Sequence, residues 1–173
     1  MHLSGLPRCL MTGPASPSSR NPRHATRCGR STSLPWKPVD ETVDHVRGPA
    51  AGRLIVEYGD YECPYSRQAF RAISRVETEL GEGMRFAFRH VPLTGIHPHV
   101  LAAATAAEAA ALQGRFWDMH ERLLRHQKAL ADDDLRRYAT DLGLDVARFN
   151  RDRAANGARG RVRPGGGKRN GAR

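Results

Sequence analysis

The chain has 173 residues, 39% of them hydrophobic and 27% charged, enough for one modest domain but below the usual apolar share of about 45–50%, so part of it lies outside any core. Its formal charge of +10 points to a nucleic-acid binder only until it is divided along the chain. Residues 1–53 carry 8 basic and 3 acidic groups, residues 54–150 carry 12 and 14, and residues 151–173 carry 8 and 1. The net basicity is confined to the two ends, which argues against nucleic acid as the partner of the middle.

Residues 1–39 hold six basic and no acidic residues together with six prolines. The composition lacks any period of 2 or 3.6 and reads as a disordered basic leader, either a transit segment or the product of a start codon assigned too early. No continuous apolar signal core is legible there, so the expected compartment is the cytoplasm. The most apolar stretch, Val100 to Leu112, is interrupted by Thr105 and Glu108 and falls short of the roughly 20 residues that cross a bilayer, so no membrane span is expected.

The foldable text spans residues 40–152. Leu54 to Tyr58 is a β-branched and aromatic run closed by Gly59-Asp60, which predicts a buried strand and a turn. Pro64 suits a first helical position. Ala69, Phe70, Ile73, Val76 and Leu80 follow at helical spacing, and Gly81 or Gly83 ends the element. Arg85 to Val91 predicts a second strand, stopped by Pro92. Strand, helix and strand make a βαβ unit, whose two strands should be parallel. The rest is helical. It starts from His97-Pro98 and runs through the alanine-rich segment to Gly114, then Phe116 to Leu124, then Leu135 to Leu142 capped by Asp132 or Asp133, then a helix beginning around Asp145 and Phe149. Trp117 and Tyr138 read as core. Residues 153–173 read as a disordered Arg/Gly-rich tail, with Val162 its one aliphatic residue larger than alanine past Ala154 and no aromatic on which a base could stack.

Three cysteines, Cys9, Cys28 and Cys63, are too few for a disulfide-stapled scaffold or a four-ligand structural zinc site. His90, His97, His99 and His120 offer no helical i, i+4 pair and no obvious completing carboxylate, so no metal is expected. The segment with chemistry is Gly59-Asp60-Tyr61-Glu62-Cys63-Pro64-Tyr65-Ser66. Cys63 falls at or beside a helix N-cap, where free backbone N–H groups and the helix dipole favour the thiolate, the nucleophilic form. It would attack a disulfide sulfur and form a mixed disulfide. Tyr61 and Tyr65 flank the thiol. Both can shape a substrate-facing rim, although Tyr61 can equally lie under the first helix.

These residues carry a family resemblance. A hydrophobic strand followed by Glu-Tyr-Gly-Asp-Tyr-Glu-Cys-Pro-Tyr (57–65), then Phe86 to Leu93, Ile96 to His99, the alanine-rich helix, Gln113 to His120 and Asp133-Asp134-Leu135 resembles the DsbA-like thioredoxin-fold oxidoreductases. The likeness covers about residues 44–152, with Asp44 to Pro49 as a lead-in. It implies an α/β thioredoxin-like fold with an inserted helical block, no cofactor, and partners that are protein thiols and disulfides or glutathione as a co-substrate. Two departures stand out. Ser66 occupies the place where most members have a second cysteine, so the expected activity is monothiol exchange through Cys63, with the Ser66 hydroxyl as a hydrogen-bond donor to the thiolate. The cis-proline strand, its hairpin partner and the last helix implied by the resemblance are not legible after residue 152. Pro164 in Val-Arg-Pro-Gly-Gly-Gly does not read as a strand, and the change of text between Asn150 and Ala154 is what a truncation or frameshift would produce. The competing reading is a non-catalytic remnant or binding domain whose basic tails contact nucleic acid or anionic surfaces.

Overall fold

The computed structural model describes residues 38–155 and Val162. The elements are β1 (His45–Arg47), β2 (Arg53–Gly59), α1 (Pro64–Leu80), a 3-10 turn (Gly81–Gly83), β3 (Met84–His90), α2 (Val100–Ala111), α3 (Phe116–Arg125), α4 (Asp132–Asp141) and α5 (Val146–Ala154). The sheet has the order β1-β3-β2. β2 and β3 are parallel, with Ile55 opposite Phe86 and Glu57 opposite Phe88, as the βαβ reading requires.

β1 is a correction to the expected two-stranded sheet. It pairs antiparallel with β3, Val46 opposite Ala87, and so makes β3 the central strand. Its three residues, His-Val-Arg, hold one aliphatic side chain and give no alternation to read. Distant pairs fix it: Arg89 holds Asp44 in a two-pronged ion pair at 2.6 and 2.7 Å, and Arg47 reaches Glu77 on α1 at 2.5 Å. The turn before β2 lies flat on β3. A Cβ on Gly48, which has φ +85°, would stand 2.3 Å from the Met84 carbonyl oxygen.

The helices follow the sequence signals with small shifts. α2 starts at Val100 rather than His97, and α4 is capped at Ala131, with the three aspartates filling its first turn, where they complement the helix dipole. Gly81, at φ +50°, ends α1. α5 begins as expected, with the Asp145 carboxylate accepting the Arg148 N–H at 2.9 Å. The core lies between the sheet and the helical block, around Phe86, Phe88, Phe116, Leu123, Leu135 and Phe149. Each such large side chain contributes about 1.5–3 kcal/mol by leaving water. The alanines of α2 let its backbone approach closely, and Trp117 and Tyr138 pack in or against this core.

Among the described residues no helix is long and apolar enough to cross a membrane. The expected leader up to residue 37, with Cys9 and Cys28, lies outside the described residues, as do Pro164 and most of the expected tail. Val162 does not fit a fully unpacked tail. It is 3% exposed and belongs to the core cluster, as a lone aliphatic side chain should when apolar surface is within reach. Among the described residues the sheet has three strands, and the further hairpin implied by resemblance is not found there.

Candidate active site

β2 ends at Gly59, where the backbone must be bare. A Cβ there would meet the Phe88 ring at 2.2 Å and Glu57 Oε1 at 3.2 Å. Asp60 follows and organises the loop. Its Oδ1 accepts the N–H groups of Glu62 at 2.8 Å and Cys63 at 3.1 Å, while its Oδ2 accepts the N–H of Leu93 at 2.9 Å and Nδ1–H of His97 at 2.8 Å. One buried carboxylate thus closes the turn that presents Cys63 and ties it to the loop after β3.

Cys63 is the N-cap of α1, extended at φ −72° and ψ 123°, and Pro64 holds the first helical position. The thiol makes no capping hydrogen bond and is free, partly exposed at the helix N-terminus. Its carbonyl accepts Nε2–H of Gln127, from the α3–α4 loop, at 2.8 Å. Glu62 is also anchored, its Oε2 accepting the His99 N–H at 2.7 Å.

The remaining motif residues divide. Tyr65 is 78% exposed beside the thiol, where a rim residue would stand. Tyr61 is not on the rim: it is 0% exposed, and its hydroxyl meets His120 Nδ1 at 3.1 Å. The ring enters the core because Phe88, His90 and His120 surround it at centroid distances of 5.6–5.7 Å, and its one polar atom finds a buried partner. Ser66 is buried, and its Oγ accepts the Asp60 N–H at 3.0 Å. No hydrogen bond joins it to Cys63 among the described residues, so the hydroxyl positions the loop.

Two buried acids lie under this surface. Glu57, two residues before the end of β2, has both carboxylate oxygens buried without a hydrogen-bond partner, and burial pushes its carboxyl up to about 7. Glu108 on α2 is 2% exposed and supplies a carboxylate partner for His45 and His90. Its Oε1 lies 2.7 Å from His45 Nε2 and 2.8 Å from His90 Nε2. Burial alone would raise Glu108, but the hydrogen bonds from the two imidazoles outweigh it and hold the carboxyl at about 2. A carboxylate can only accept, so both histidines donate. These three ligand-type atoms lie within 4.8 Å of one another, and they form a latch joining β1, β3 and α2. Burial keeps His90 and, more strongly, His120 below the ordinary imidazole range, so both are neutral at pH 7. Sequence reasoning missed His45, Glu57 and Glu108. The only signal was a charged residue inside an apolar run.

A parallel βαβ unit that ends its first strand in a loop presenting an uncapped cysteine at a helix N-terminus, followed by a helical block, defines a thioredoxin-type protein. The comparisons agree. The thioredoxin family profile matches residues 41–160. A Na(+)/H(+) antiporter NhaA 3 of Salinispora tropica is 48% identical over 126 residues, 72% of this chain and 19% of that protein. An NhaA 1 of Salinispora arenicola is 50% identical over 113 residues, 65% and 17%. The chain therefore spans less than a fifth of the length of these curated relatives. Among solved structures, a thioredoxin-like oxidoreductase from Silicibacter pomeroyi superposes with a TM-score of 0.61 at 28% identity, covering 69% of this chain and 68% of that one. The thiol-disulfide exchange protein alpha-DsbA2 of Wolbachia pipientis gives 0.58 at 20% identity, covering 68% and 63%, a likeness of fold. The chain belongs to the thioredoxin family and shares its fold with DsbA-like proteins.

Proposed function

We propose that this domain is a thiol–disulfide oxidoreductase that uses Cys63 as its single nucleophile, exchanging with protein disulfides or glutathione mixed disulfides. The observation that carries the reading is the placement of a free thiol at the N-cap of α1, in a loop fixed by Asp60 and uncommitted to any capping bond. The helix N-terminus offers backbone N–H groups and a positive dipole end to a sulfur anion. The Cys63 thiolate attacks one sulfur of the disulfide, an Sγ–S bond forms, the original S–S bond breaks, and the departing sulfur leaves with the electron pair as a thiolate. Because Ser66 stands where a resolving cysteine would be, an external thiol such as glutathione releases the product. Ser66 contributes by holding the Asp60 backbone, and Pro64 by fixing the first helical residue.

The test uses the full chain with Cys9→Ser and Cys28→Ser, leaving Cys63 as its sole thiol. With reduced glutathione and the mixed disulfide of glutathione and mercaptoethanol, turnover is expected, with a Cys63–glutathione adduct visible by mass spectrometry. Cys63→Ser abolishes both. Absence of turnover and of adduct in the Cys63-only chain would overturn the reading in favour of a binding domain.

A further inference from the structure

A groove of about 770 Å³ runs between α1 and the α3–α4 loop, beside the turn that carries Cys63. Glu62, Pro64 and Tyr65 form its end at the active-site loop, and its length is lined by Arg67, Gln68 and Arg71 on one side and Gln127 and Lys128 on the other. Arg67 and Arg71 are i, i+4 neighbours on one face of α1, and Arg75 extends the stripe by one more turn. The hydrogen bond from Gln127 to the Cys63 carbonyl pins the opposite wall to the residue that carries the thiol.

The charges in this groove differ from those elsewhere on the domain. Of the 16 Arg and Lys side chains among the described residues, ten have a carboxylate within ion-pair distance, so neutralised arginine is the rule on this surface. Arg67, Arg71, Arg75 and Lys128 are four of the six exceptions, and three of them line the groove. The one acid on its wall, Glu62, is engaged by the His99 N–H. With Glu62 counted, the lining still carries two more basic than acidic side chains, and a cleft with such an excess raises the local concentration of ligands of the opposite sign.

We infer that the groove of Arg67, Arg71 and Lys128 receives the acidic flank of the disulfide that Cys63 attacks, so that the preferred substrates are disulfides with carboxylates close to the reacting sulfur. This rests on the proposed role of Cys63 and adds the substrate class. Tyr65, exposed on the groove wall, supplies an apolar surface on which the backbone of such a substrate can lie.

The experiment measures second-order rates of the Cys63-only chain with three disulfides: anionic oxidised glutathione, neutral 4,4′-dithiodipyridine and cationic cystamine. Each rate is divided by that of the uncharged thiol N-acetylcysteine amide with the same reagent, which removes intrinsic reactivity. At low salt the normalised preference for oxidised glutathione over cystamine should be about tenfold or more, falling several-fold in 0.5 M NaCl as the charges are screened. Replacing Arg67, Arg71 and Lys128 by Gln should erase it, whereas Arg53→Gln with Arg151→Gln, two unpaired arginines outside the groove, should retain it. Equal normalised rates for the anionic and cationic probes, or a preference that survives the triple replacement, would overturn the inference. The neutral probe keeps the two claims apart: if it fails to react, the nucleophile reading falls. Binding of S-methylglutathione, which cannot exchange, then still reads the groove by its loss in the triple variant, and absence of such binding in the parent chain counts against the groove.

Discussion

The hydroxyl of Tyr61 and Nδ1 of His120 meet at 3.1 Å with both side chains sealed from solvent, so a residue two positions before Cys63 is anchored on a helix about sixty residues further along the chain. His120 Nε2 already lacks a partner. Tyr61→Phe would orphan Nδ1 as well and is expected to cost about 1–3 kcal/mol, read as a lower urea midpoint with unchanged m-value.

Asp60 makes a sharper prediction, because its two oxygens have separate duties. Asp60→Ala should destabilise the domain by about 3 kcal/mol or more, since four donors lose a charged acceptor. Asp60→Asn keeps one oxygen. If the amide nitrogen turns toward Leu93 and the His97 ring, exchange of the Leu93 amide should accelerate while that of Cys63 stays slow, measured by hydrogen exchange with residue resolution.

Glu57 ties stability to pH in a defined direction. Its carboxyl titrates near 4.5 in the unfolded chain and about 7 in the fold, so between those values the unfolded state sheds the proton first and folding stability falls as pH rises. Glu57→Gln removes this dependence. The variant should match the parent near pH 4 and exceed it by about 2 kcal/mol at pH 8, after allowance for partial solvent screening, as read from urea titrations across that range.

Glu108 works with the opposite sign. Its carboxyl is held at about 2 in the fold against 4.5 unfolded, so its contribution is complete above 4.5 and is lost as pH falls toward 2. Glu108→Ala leaves the His45 and His90 ring donors without an acceptor, at about 1–3 kcal/mol each, and should free the edge strand: amides of His45 to Arg47 should exchange faster while those of β2 change little.

Ser66→Cys converts the motif to Cys-Pro-Tyr-Cys. In the chain lacking Cys9 and Cys28, oxidised glutathione should then give a product with no free thiol and no bound glutathione, against one bound glutathione in the parent, by mass spectrometry. Sulfur is a poorer acceptor for the Asp60 N–H than the hydroxyl, so a loss of about 1 kcal/mol is expected.

Local signals carried most of the fold. The βαβ unit announced itself through a β-branched run, a proline at N1 and helical spacing, and Cys63 was legible as a cap because caps are set by neighbours in sequence. β1 was not, since its three residues gain their place from Asp44–Arg89, Arg47–Glu77 and His45–Glu108, pairs at least 30 residues apart. The same limit hid Glu108 as a partner for His45 and His90. Tyr61 stayed open between rim and core for a related reason: its partner His120 lies on a distant helix. The basic groove was equally hidden, because Arg67 and Lys128 are ordinary surface residues until the fold places them across from each other.

The carboxylate of Asp60, shared between two loops, also has an entropic consequence. The chain segments on either side of the thiol lose their freedom when the domain folds, well before a substrate arrives. In the proposed exchange, Cys63 would meet an incoming disulfide with that backbone entropy already lost. Because Leu93 and His97 hang on the same side chain, the loop after β3 and the turn that carries Cys63 share one anchor, and displacing either strains the bonds of both.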